Sequence, residues 1–181
     1  PIRPRPNHPT SISSLPDDLL LECLSRVDHS SLPSLPLVCS RWCHILDSPA
    51  VHVLRQQHRL LRLTLFAVSV SEGTLLLSSY CGLVGGDDDC SWKICSLNFH
   101  TFFENGFRLS AIGRRIYVIG RAAMLRCDTW TGAVVSLQGP VYPRKKFATA
   151  AVGGKIYVAG GCAAAAAVVE EYDPSSNKWR V

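Results

Sequence analysis

The 181-residue sequence predicts an α+β chain in which a small helical unit precedes antiparallel sheets. Two observations carry that prediction. Between residues 15 and 62 apolar side chains recur at helical spacing; after Leu63 the pattern turns extended, with β-branched runs cut by Glu-Gly and Gly-Gly turn signals. Further on, a segment repeats itself. Ala111-Ile112-Gly113-Arg114-Arg115-Ile116-Tyr117-Val118-Ile119-Gly120 aligns, 40 residues later, with Ala151-Val152-Gly153-Gly154-Lys155-Ile156-Tyr157-Val158-Ala159-Gly160.

Residues 1–11 read as a flexible lead-in, since their four prolines leave little room for helix or ladder. A first helix opens at Pro16, with Asp17 and Asp18 in its first turn, where acids complement the helix dipole. Leu20, Cys23, Leu24 and Val27 continue it. Ser30 or Ser31 caps a short second helix carrying Leu32 and Leu35. Pro36 separates this from a third, in which Val38, Trp42, Ile45 and Leu46 share a face. Ser48 and Pro49 start a fourth helix that reaches about Arg62, with Val51, Leu54, His58 and Leu61 along one side and His58 as a packing residue. So short a bundle holds more leucine than it can bury, and an exposed apolar face marks a partner surface.

Each copy of the repeat reads as strand, tight glycine turn, strand. Gly-Gly and Gly-X suit two-residue hairpins because their twist needs positive φ. Cys127-Asp128 then corresponds to Tyr172-Asp173 at an offset of 45, and a closing strand follows at Ala133 to Leu137 and at Lys178 to Val181. Four antiparallel strands in roughly 40 to 50 residues is the period of a propeller blade.

Composition narrows the function classes. Hydrophobic residues make up 47% and charged residues 18%, which is globular. The net charge of +5 is spread along the chain, and its largest basic run, Arg144-Lys145-Lys146, reads as a solvated loop. No basic stripe with interleaved aromatics signals nucleic acid, and no apolar run approaches the ~20 residues that span a bilayer. The eight cysteines have no zinc-ligand spacing: Cys39-x3-Cys43-His44 and Cys90-x4-Cys95 each lack a second half, so they read as small buried hydrophobes in a reducing compartment. Gly85-Gly86-Asp87-Asp88-Asp89 lacks the spaced oxygens of a calcium loop and reads as solvated. No metal or cofactor is expected. The sequence begins at Pro1 without Met, which fits a processed, trimmed or incomplete chain.

The segment from Ser14 to about Asp47 resembles an F-box. The resemblance is carried by Leu15-Pro16-Asp17-Asp18-Leu19, Glu22, Leu24, Val27, Leu32, Leu35, Val38-Cys39-Ser40-Arg41-Trp42 and Leu46. The segment from Phe107 to Val181 resembles kelch repeats. Its better copy has Gly153-Gly154-Lys155-Ile156-Tyr157-Val158-Ala159-Gly160-Gly161, Glu171-Tyr172-Asp173-Pro174 and Asn177-Lys178-Trp179. In the first copy Arg121 stands for the second glycine of the pair, Cys127 for the tyrosine, and Val134 or Val135 for the closing tryptophan.

The resemblance therefore implies an F-box over 12–48, a linking helix over 49–62 and a partial kelch propeller over 63–181, with a degenerate blade at 63–105 and blades at 107–140 and 147–181. Tyr157, Tyr172 and Trp179 would fill the space between blades. Two or three blades fall short of the 4 to 8 of a propeller, which points to truncation of a longer protein.

An F-box/kelch protein is similar to the substrate receptors of SCF-type cullin–RING ubiquitin ligases. The resemblance implies that the F-box docks on a Skp-type adaptor, and through it on cullin, while the blades hold a protein to be ubiquitinated. The chain itself would not be an enzyme. Leu15, Pro16, Leu19, Leu32, Val38 and Trp42 would face the adaptor, with Leu19 the one best suited to packing the unit's own core instead. Two other readings are a kelch interaction scaffold without a ligase role and an enzyme on kelch-like blades. The enzyme needs a clustered His, Tyr and Cys set, yet the six histidines are scattered and only His100 lies beyond residue 58. A cytoplasmic or nuclear location follows from the ligase reading.

Overall fold

In a computed structural model, residues 12–71, 74–82, 92–97, 106–162 and 168–181 are described. The chain divides into two compact units, Pro1–Leu61 and Arg62–Val181. The loop at Gly85 to Asp89 and Cys90 lie outside the described residues.

The first unit is helical. After a 3-10 turn at Ile12–Ser14 come α1 (Asp17–Ser25), a 3-10 segment (His29–Leu37), α2 (Ser40–Leu46) and α3 (Pro49–Gln57). Leu20, Leu24, Leu32, Ile45, Leu46 and Val51 are buried and form its core. Burying a leucine fully is worth about 1.5–3 kcal/mol.

Three details differ from the sequence expectation. The second helix is 3-10, because Pro33 and Pro36 lie inside it and cannot donate to an α ladder. The third begins at Ser40 behind an extended Cys39 (φ −164°), so Val38 belongs to the segment before it and leaves the Ile45–Leu46 face. The fourth stops at Gln57, short of Arg62. Arg59 takes a left-handed φ of 57°, while the Leu60 amide donates to Arg55 O (2.8 Å) and the Arg59 amide to Gln56 O (3.0 Å). That pair of bonds is a Schellman closure. Ser48 stands at the N-cap and Pro49 in the first turn as expected, although the Ser48 side chain makes no capping bond.

The second unit holds three antiparallel sheets. β1 (Leu63–Ser71), β2 (Thr74–Gly82) and β3 (Trp92–Leu97) form the first. β4 (Arg108–Ile112), β5 (Arg115–Ile119), β6 (Ala123–Asp128) and β7 (Val134–Gln138) form the second. β8 (Ala148–Val152), β9 (Lys155–Ala159), β10 (Val169–Asp173) and β11 (Lys178–Arg180) form the third. The second and third are the four-stranded meanders that the repeat predicts, and the described sheets are fewer than a closed propeller needs.

The two copies use the same turn chemistry with one difference. Gly153 and Gly154 both have positive φ (58° and 77°), as a type I′ hairpin requires. In the other copy only Gly113 does (55°), so the next position accepts Arg114. At the later turn, Asp128 Oδ1 accepts the amides of Trp130 and Thr131, and Asp173 Oδ1 accepts the Ser175 amide (2.9 Å). The left-handed residue that follows is Gly132 in one copy and Asn177 (φ 53°) in the other.

The middle sheet is buried on both faces, which the period of two explains. Tyr117, Ile119 and Met124 pack with Ile156, Val158 and Tyr172 of the third sheet and with Phe147 of the linker before it. The alternate residues Val118, Leu125 and Cys127 pack with Leu75 of the first, and Ile116 and Val134 lie against that cluster. Tyr117 meets Tyr172 edge-on at 5.8 Å, and Tyr172 lies 5.2 Å from Trp179, whose indole donates to Gln138 O (2.9 Å). Tyr157 is not among these aromatics. It sits between Ile156 and Val158 on its strand, so its ring takes the opposite face and its hydroxyl donates to Glu171 (2.8 Å).

The basic run is also corrected. Arg144 is 1% exposed and Glu170 0%, and the guanidinium donates to Glu170 Oε1 through Nε (2.9 Å) and Nη2 (2.6 Å). Only Lys145 and Lys146 of that run are exposed.

Candidate functional site

The helical unit brings the two halves of its motif together through one side chain. Arg41, beside Trp42 at the start of α2, donates from Nε to Asp17 Oδ1 (2.8 Å) and from Nη2 to the Leu15 carbonyl (2.5 Å). The Leu15-Pro16 pair and Trp42, 26 residues apart along the chain, are thereby tied into one structure. Arg41 and Asp17 were in the motif, but their pairing was not legible, because nothing in linear spacing brings position 17 to 41.

The six residues expected to face a partner divide unequally. Pro16, Leu19 and Val38 are exposed, Leu19 at 51% and Val38 at 60%; Leu15 and Trp42 are half-buried. Leu32 is 2% exposed and belongs to the core, so it is not part of a surface. Leu19 is a surface residue of α1, so core packing, the alternative for it, does not hold; Leu20 and Leu24 take the inner face.

Leu37, outside the six, belongs with the exposed residues. It is 77% exposed, more than any other large apolar side chain of the helical unit among the described residues. A 3-10 segment repeats every 3.0 residues, so Leu37 shares its face with the exposed Ser31 and Ser34 while Leu32 points inward. The two prolines three residues apart were the available signal.

Behind this surface, Arg55 fixes α3 to the end of α1. It is buried and donates to the carbonyls of Ser25 (2.9 Å), Val27 (2.7 Å) and Leu60 (3.0 Å). Burial lowers its pKa, and Asp28 opposes that shift. His58, half-buried, lies 3.3 Å from Glu22 Oε1, and Arg26 bonds the same oxygen at 2.5 Å. Chemically the surface offers apolar contact rimmed by charge.

Comparison with known proteins agrees with the geometry. Residues 12–54 match the F-box domain and residues 143–181 the Kelch motif. The F-box match lies on the helical unit and the Kelch-motif match on the third sheet. An F-box/kelch-repeat protein of Arabidopsis thaliana is 46% identical over 97% of this chain and 44% of its own length. A second from the same plant is 26% identical, over 94% of this chain and 49% of its own length. A putative F-box/kelch-repeat protein, again from Arabidopsis thaliana, is 30% identical over 94% and 48%. The chain spans about half the length of these relatives.

Proposed function

We propose that this chain is a substrate receptor of an SCF-type cullin–RING ubiquitin ligase. Its helical unit docks on a Skp-type adaptor, and its sheets hold the protein to be modified. It does no chemistry of its own; the ligase works by proximity. The observation that carries this reading is the Arg41 tie, which joins Leu15-Pro16 to Trp42 beside the exposed Leu19, Val38 and Leu37. Half-buried aromatics ringed by apolar neighbours are the usual anchors of such contacts. The cytoplasm or nucleus, where these ligases work, is the location that follows.

Capture of a Skp-type adaptor by the full 181-residue chain tests the proposal. Wild type retains the adaptor, and the pair Leu15→Ala with Trp42→Ala loses it. Adaptor capture that survives both substitutions, or that wild type never shows, leaves a kelch interaction scaffold without a ligase role as the better description.

A further inference from the structure

We infer that one end of the second and third sheets is a docking rim for an acidic segment of a target protein, an inference that rests on the receptor reading above. Four cations converge there from three stretches of sequence. Arg108 opens β4, Arg121 sits in the β5–β6 turn, and Lys145 and Lys146 sit in the linker between the sheets. All four are exposed. The Arg144 amide donates to Arg121 O (3.1 Å) and the Lys145 amide to Gly161 O (2.8 Å), so the linker backbone is bonded to the corresponding turn of both sheets. Arg108 Nε donates to Phe147 O (2.8 Å), which brings the fourth cation to the same linker.

Among the described residues the charge on this rim is uncompensated. The described carboxylates of the sheet unit are Asp128, Glu170, Glu171 and Asp173. Asp128 and Asp173 organise turns at the opposite end of the strands, and Glu171 is paired with Lys155 (2.6 Å). Glu170 is on the rim side but wholly buried and committed to Arg144. Among the described residues Arg108, Arg121, Lys145 and Lys146 therefore carry no ion pair.

The rim is also held in shape. Glu170 accepts the Val141 amide (2.5 Å) and the Tyr142 amide (3.3 Å), while Arg144 donates to Gly160 O (2.6 Å) and Val168 O (3.1 Å). Lys146 itself is left-handed (φ 55°), a conformation a lysine keeps only where its surroundings fix it. Exposed Val141 and Tyr142 stand beside the cations. A cluster of cations on a fixed backbone, Arg108 engaged only with carbonyls and the Phe147 ring, fits, with its two apolar neighbours, Asp or Glu side chains interspersed with an apolar residue.

The test uses the full chain and a fluorescein-labelled peptide of glutamates flanking one leucine, followed by fluorescence anisotropy at low and at physiological salt. Its glutamine counterpart and a single-stranded oligonucleotide of equal charge are the comparison probes. The acidic peptide binds, weakens as salt rises, and loses at least about tenfold in affinity with Arg121→Glu, Lys145→Glu and Lys146→Glu combined. The glutamine peptide does not bind, and a control carrying Arg62→Glu, Lys178→Glu and Arg180→Glu behaves as wild type. If the triple rim variant melts differently from wild type, Lys145→Gln with Lys146→Gln replaces it and must still weaken binding several-fold. Absence of acidic-peptide binding, equal loss in the control, or an oligonucleotide that binds as tightly as the peptide overturns the inference. Adaptor capture measured on the same preparation separates this result from failure of the ligase reading.

Discussion

At the scale of single residues, the buried Arg144–Glu170 pair decides most. Both side chains lie out of contact with water, and Glu170 accepts two guanidinium bonds and two backbone amides. A buried ion pair adds little net stability against an apolar substitute of the same volume, yet removing one partner strands a charge. Arg144→Met should therefore cost about 3–5 kcal/mol in a denaturant melt. Arg144→Met with Glu170→Leu should recover much of that loss. Equal destabilisation by the single and double variants would show that the cost lies in lost backbone hydrogen bonds instead, those Arg144 donates to Gly160 and Val168 and those Glu170 accepts from Val141 and Tyr142. The sequence disguised this pair. Arg144 stands next to two lysines and reads as surface, and its partner lies 26 positions away across a segment with no register to count along.

Single elements were legible where turn chemistry and period agree. The glycine turns at 113 and 153 and the strands that flank them followed from residue type and spacing. Tyr157 was misassigned only because aromatic character was put ahead of its parity on the strand. The adjacent pair Gly160 and Gly161 separates two roles that a sequence cannot. Both have positive φ (78° and 67°), so both substitutions strain the backbone by about 1–2 kcal/mol. A Cβ at Gly160 would meet open space, whereas one at Gly161 would collide with the Lys145 backbone. Gly161→Ala should then lower the melting temperature at least twice as far as Gly160→Ala. It should also weaken acidic-peptide binding, since Lys145 must move. Equal shifts from the two variants would mean that backbone strain alone sets the cost and that the linker is free to give way.

At the scale of the whole molecule, the change from helical to extended period near residue 62 was plain in the sequence and coincides with the division into two units. The pattern cannot show how charge is distributed between them in the folded state. In the sheet unit, hydrogen bonds from Lys155 and then Tyr157 hold the Glu171 carboxyl below its ordinary pKa, and bonds from Ser175 do the same for Asp173. Lys155 is correspondingly raised by its bond to Glu171. A carboxyl whose folded pKa is depressed contributes stability above its unfolded value and loses it as pH falls through the folded one. Both carboxyls therefore favour the folded sheets at neutral pH and stop doing so on acidification below about 4 to 4.5, the ordinary carboxylate range. Both are solvent-accessible enough for screening to keep each contribution small. Glu171→Gln should lower the thermal midpoint slightly at pH 7 and leave it nearly unchanged at pH 3. The slope of midpoint against pH across the carboxylate range should therefore be shallower than in wild type. Because Glu171 lies in β10, the effect should appear in the transition of the sheet unit, followed through its tryptophans Trp92, Trp130 and Trp179, and leave that of the helical unit in place. A variant with the wild-type slope would place the acid sensitivity elsewhere in the sheets and reduce the Lys155–Glu171–Tyr157 cluster to a surface contact without consequence for folding.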